Sequence, residues 1–167
     1  MAASSVLVSV VLSFVMGGLV SAAPGGVTDP AGLTDLAAVR QATARYHDVD
    51  RALADGYVPF SPCVAEPGLG TMGIHFVNFG LAFDLTVSAT SPEILLYVPS
   101  EDGYRLVGVE YVVFYVGQPA PQVFGRPLNG PMVHPGEESF LHYDLHAWVW
   151  QGNPAGIFAD FNPALTC

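Results

Sequence analysis

Between Leu36 and Leu53 the chain repeats apolar residues at three- and four-residue spacing. Leu36, Val39, Thr43, Tyr46, Asp50 and Leu53 fall on one stripe, and Ala42 and Val49 widen it. This spacing predicts one amphipathic helix over residues 34–55, capped by Thr34 or Asp35 and closed by Asp55-Gly56. Residues 58–71 hold three prolines, two glycines and Cys63, and read as a loop. From Met72 onward the period shortens to that of strands, expected over about 72–78, 93–98, 104–116, 122–125 and 140–151. Ser91-Pro92, Glu101-Asp102-Gly103, Gly117-Gln118-Pro119 and Asn129-Gly130-Pro131 punctuate them. Leu95–Val98 and Tyr104–Val107, joined by Pro99–Gly103, form the clearest hairpin. Beyond Gln151, Asn153-Pro154 and Asn162-Pro163 mark two turns that fold the tail back.

A helix followed by consecutive strands implies an α+β domain. The helix is expected to cover an antiparallel sheet able to curl toward a barrel. Alternation divides the last strand into an apolar face (Leu141, Tyr143, Leu145, Ala147, Val149) and a second face carrying His142, Asp144, His146, Trp148 and Trp150. The second face suits the wall of a polar, aromatic-lined cavity; a surface stripe under the tail would give the same pattern.

Other features set the context. Val6 to Val20 is apolar and uncharged, and Val20-x-Ala22 meets the small-residue rule for a cleaved secretory signal. The expected organisation is a signal peptide at 1–22, a flexible lead-in at 23–33 and one domain at 34–167, secreted and free of stable membrane association after cleavage. The chain has five Lys+Arg, all arginine, against 15 Asp+Glu, a formal charge of −10. Such a surface repels phosphate backbones, so nucleic acid is not an expected partner. In an exported chain the only two cysteines, Cys63 and Cys167, predict one disulfide.

Candidate chemistry centres on His75, Glu110 and His146. Glu110 interrupts the apolar run Leu106–Phe114, where a carboxylate needs a partner or a ligand; an outward glutamate on an edge is the competing reading. Gly70 and Gly73 flank His75 and allow close approach of backbone or ligand. If the three converge, two imidazoles and a carboxylate suit one divalent transition metal (Zn²⁺, Fe²⁺, Cu²⁺ or Mn²⁺) with positions left for water or substrate. Asn78, His142 and Trp148 are the expected neighbours for a small ligand. His142 and Asp144 lie about 6.7 Å apart on one face, but His142 and His146 are about 13 Å apart, marginal for one ion. Ser139 has no evident base, Glu137 and Glu138 read as solvated loop residues, and His134 lies in a loop.

The segments GIHFVN (73–78), EILLYVPSEDGYRLVGVEYVV (93–113) and LHAWVWQGNPAGIFADFNP (145–163) together resemble a family of uncharacterised exported bacterial proteins. The segment ATARYHDVDRALADGYV (42–58) and Cys63 fit the same pattern. The resemblance implies export and carries no activity, fold or cofactor with it. Three functions follow from the residues: a binder of metal or small ligand, a metal-dependent enzyme using the same site, and a structural or interaction protein with a buried histidine cluster.

Overall fold

The computed structural model describes residues 30–133 and 140–167. The expected leader, most of the lead-in, and His134, Glu137, Glu138 and Ser139 lie outside the described residues.

The single helix predicted over 34–55 is divided. α1 spans Pro30–Thr43, a 3₁₀ turn covers Ala44–His47, and α2 spans Val49–Ala54. Proline suits the first helical position because its missing N–H has no intrahelical partner there, so the helix starts ahead of the expected cap. Thr34 lies inside it and donates its hydroxyl to Pro30 O at 2.9 Å. The division has a local cause. Thr43 returns its hydroxyl to Val39 O at 2.6 Å, a bond that bends helices. Asp48 then restarts the helix as an N-cap, accepting from Asp50 N at 3.1 Å. The break shifts the phase of the stripe, so Ala52 is buried in place of Leu53.

The sheet is antiparallel throughout. Its strands are β1 (Tyr57–Pro59), β2 (Val64–Glu66), β3 (Gly70–Asn78), β4 (Ile94–Ser100), β5 (Gly103–Phe114), β8 (Asn129–Met132) and β9 (His142–Ala147). They run in the order β1-β3-β4-β5-β9-β8, with β2 also paired to β3. β6 (Gln122–Val123) and β7 (Arg126–Pro127) form a separate two-residue ribbon where one strand was expected. A short helix, α3 (Phe79–Ala82), follows β3. β1 and β2 lie within the predicted loop and are short, proline-bordered edge pairings, which is where proline is tolerated in a sheet.

The sheet does not close into a barrel. β1 and β8 stand at opposite ends of the order. Each is short and carries a proline, Pro59 or Pro131, that removes a ladder donor from the edge. The β4–β5 hairpin is tighter than expected: pairing continues through Pro99↔Tyr104 to Ser100↔Gly103, so Glu101-Asp102 alone make the turn. Pro99 lies beyond Tyr97, the last β4 residue with a β3 partner.

Alternation gives the sheet two faces. α1 and α2 cover the first, where Leu36, Val39 and Ala52 pack on Phe76, Tyr97, Tyr111 and Leu145. The second face buries Val77, Ile94, Leu96, Val112 and Trp148, with Leu165 from the tail. The tail turns at Asn153 and Asn162, whose side-chain oxygens accept from Ala155 N and Ala164 N. It then meets β3 through a Thr71↔Asn162 bridge. A Cys63–Cys167 disulfide closes it, with Cα atoms 5.7 Å apart across 104 positions of sequence.

β9 ends at Ala147, four residues before the expected limit. Trp148 N donates to Ile157 O and Val149 N to Ala147 O, which turns the chain. Trp148 stays with His146, whereas Trp150 reaches the helical side. Its Nε1 donates to Thr43 Oγ1 at 3.1 Å, and its ring meets His47 edge-on at 4.4 Å. The two tryptophans therefore do not share the polar face.

Candidate metal centre

His75 stands on β3, Glu110 on β5 and His146 on β9. The register explains their meeting. Val77 pairs with Ile94, Ile94 with Glu110, and Glu110 with His146, so these four form one row across the sheet. His75 is two residues from Val77 and points to the same side. β4 separates β3 from β5, so two strand spacings, about 9.5 Å, lie between them. The imidazole and the carboxylate are long enough to reach across Leu96 and Ile94.

One ligand atom from each of the three residues lies within 4.8 Å of the other two. His75 Nε2 is 3.3 Å from Glu110 Oε2, and His146 Nε2 is 3.7 Å from the same oxygen. The two rings are nearly perpendicular, with centroids 6.2 Å apart. Glu110 and His146 are buried; His75 keeps 14% of its side chain exposed, so the cluster meets solvent on its β3 side.

Each imidazole has a second contact. Ser61, on the link between β1 and β2, donates its hydroxyl to Pro62 O at 2.8 Å and accepts from His75 N at 3.1 Å. Its oxygen also lies 2.9 Å from His75 Nδ1. A hydroxyl has one hydrogen. With that hydrogen on Pro62, a protonated Nδ1 can donate to the Ser61 oxygen, while Nε2 faces Glu110 Oε2. For His146 the outer atom is Asp160 Oδ1, 4.0 Å from Nδ1. Trp148 stacks on His146 at 20° and anchors its own Nε1 on Ala159 O at 2.6 Å.

The other expected residues are dispersed. Asn78 caps α3, its Oδ1 accepting from Gly80 N and Leu81 N while its Nδ2 donates to Asp55 O. His142 is buried opposite Phe114, its Nδ1 2.9 Å from Phe140 O. Trp148 is the one expected ligand neighbour that touches the cluster. The glycines beside His75 admit backbone: a Cβ on Gly73 would meet Tyr97 O at 2.5 Å, and one on Gly70 would run into Asn162 O.

Sequence reasoning passed over Ser61, Asp160 and Glu93. Ser61 and Asp160 sit in proline- and turn-rich segments, and no spacing tied them to a strand. Glu93 falls at the first position of the strand expected over 93–98, and it is 2% exposed and accepts from Val112 N at 3.1 Å. Burial pushes its carboxyl up to about 8. No protein-family model, curated protein or solved structure matches this chain, so the cluster is read from its own geometry.

Proposed function

We propose that this is an exported domain that binds one divalent transition metal through His75 Nε2, Glu110 Oε2 and His146 Nε2. The observation that carries the reading is the spacing of the three ligand atoms. Zinc-type bonds of about 2.0–2.1 Å in tetrahedral array set ligand atoms about 3.3–3.4 Å apart. A charge-assisted hydrogen bond between the same atom types would be about 2.7–2.9 Å. The two spacings to Glu110 Oε2, 3.3 and 3.7 Å, lie closer to the first value, and the two imidazole nitrogens are within 4.8 Å of one another. Two neutral imidazoles and a carboxylate suit Zn²⁺, Fe²⁺, Cu²⁺ or Mn²⁺. Ser61 favours the tautomer that a ligand requires.

Three protein ligands leave a position for water or a small molecule, the arrangement of zinc sites that exchange a ligand. This favours a metal-dependent enzyme as the second reading, with the ion as Lewis acid. Export is supported by the apolar leader and by the disulfide, which persists in oxidising compartments. The charge of −10 argues against nucleic acid as a partner.

Elemental analysis tests the proposal on protein purified from its export compartment without a histidine tag, beside a His146→Ala variant checked for fold by circular dichroism. We expect near-stoichiometric metal in the parent and loss in the variant. A parent that stays metal-free after incubation with the four candidate ions would overturn the reading and leave a buried polar network. Turnover on a hydrolytic substrate panel, lost on chelation, would separate enzyme from binder.

A further inference from the structure

Five phenylalanines from four separate stretches of sequence line up on the surface, ring against ring. Phe60 meets Phe79 edge-on at 5.6 Å, and Phe79 stacks on Phe83 at 6.1 Å. Phe83 stacks on Phe114 at 5.1 Å, and Phe114 leans on Phe140 at 5.5 Å. Phe79 opens α3, Phe83 is its C-cap, and Phe114 ends β5. Phe60, Phe79, Phe83 and Phe140 are 58%, 41%, 60% and 54% exposed. At the Phe140 end the rings border an open groove of about 320 Å³ that Leu85, Val116 and Leu141 complete.

We infer that this ladder is a homodimer interface in which two copies pack about a two-fold axis near Phe83. Size is the first argument. Four half-exposed phenylalanines offer about 100 Å² each, and with Leu85, Val116 and Leu141 the apolar patch is on the order of 600–700 Å². The largest apolar patch on a typical monomer is about 300–600 Å². A standard interface takes about 800 Å² from each partner, so the patch with a polar rim is sufficient.

Shape is the second argument. The ladder is asymmetric along its length, with exposed rings Phe60 and Phe79 at one end and the groove at the other. Antiparallel apposition places each copy's projecting rings in the other's groove, the self-complementarity that a two-fold contact requires.

Charge does not forbid the occupant. Two copies at −10 repel over most of their surface, but the ladder is all phenylalanine and the groove, Tyr115 included, is lined by no acidic or basic residue. Asp84, fully exposed beside Phe83, stands at the rim, as charges do in such interfaces. The acidic surface disfavours an anionic membrane, and an open apolar groove without convergent polar groups is a poor site for a small polar ligand.

Sedimentation and light scattering of the mature, disulfide-bonded chain test the inference, with Phe83→Ser/Phe140→Ser and Phe60→Ser compared at equal concentration. All three substituted rings are exposed, so unchanged circular dichroism is the control for folding. We expect a particle of two copies that tightens with added salt, as rim repulsion is screened. Each variant should weaken the dimer by at least about tenfold. Because Phe60 and Phe140 lie at opposite ends, loss from either side shows that the contact runs the length of the ladder. A monomeric parent, or a dimer indifferent to all three substitutions, would overturn the proposal. A monomeric parent that floats with phosphatidylcholine vesicles would give the face to lipid instead.

Discussion

Two single residues outside the three candidate ligands have consequences that can be measured. Glu93 keeps its proton to about pH 8 in the folded chain because burial penalises the carboxylate; the unfolded chain releases it near pH 4.3. The folded state thus binds more protons between these values, and stability falls as pH rises through that window. Glu93→Gln, a neutral mimic of the protonated acid, should flatten this decline. Urea unfolding at pH 5 and pH 8 should give a gap between the two pH values that is smaller in the variant by on the order of 1 kcal/mol or more. Asp160 lies outside the candidate centre, its Oδ1 4.0 Å from the nitrogen of His146 turned away from Glu110. Carboxylates that accept a hydrogen bond from a ligating imidazole orient it, and their loss costs about 10–100-fold in metal affinity; Asp160 would close the 4.0 Å gap to Nδ1 to play this part. Asp160→Ala should show that loss in a competition titration while retaining the site. Metal affinity equal to the parent's would remove Asp160 from the centre.

At the level of elements, the disulfide joins the β1–β2 link to the tail, and the tail holds Trp148 and Asp160 against β9. Closing 104 positions stabilises by up to about 4.7 kcal/mol on the chain-entropy account. Cys63→Ser/Cys167→Ser should lower the urea midpoint by an amount equivalent to about 2–5 kcal/mol. A change below 1 kcal/mol would show that tail packing suffices alone. Strands β3, β4, β5 and β9 were legible as β-rich runs bounded by turn residues, although both of their faces are buried and burial does not alternate along them. The cysteine pairing was legible from count alone. The helix break was not, because Thr43 fits a helical stripe and bends the helix only through its own hydroxyl. Nor was the turn at Trp148, where both alternating patterns continue past the point at which the backbone leaves the sheet. The three ligand candidates were chosen from local oddity, a carboxylate in an apolar run and histidines among strands. Their convergence depended on strand order, which no local signal encodes.

For the whole molecule, the open sheet leaves one face to the helices and gives the other to the tail, the candidate centre and the aromatic ladder. No helix among the described residues is long and apolar enough to cross a membrane. Strand order also governs when the centre comes into existence. His75, Glu110 and His146 are contributed by strands distributed along the chain, with β4 lying between β3 and β5 and β9 paired to β5 from a later part of the sequence. Pairings so distant in sequence form slowly, because loop closure must precede their reward. A chain still emerging, or threaded unfolded through a translocation channel, therefore has no coordination sphere to fill. Under the proposed metal-binding reading, the ion would be chosen by supply at the place where the last strand arrives, rather than at the place of synthesis.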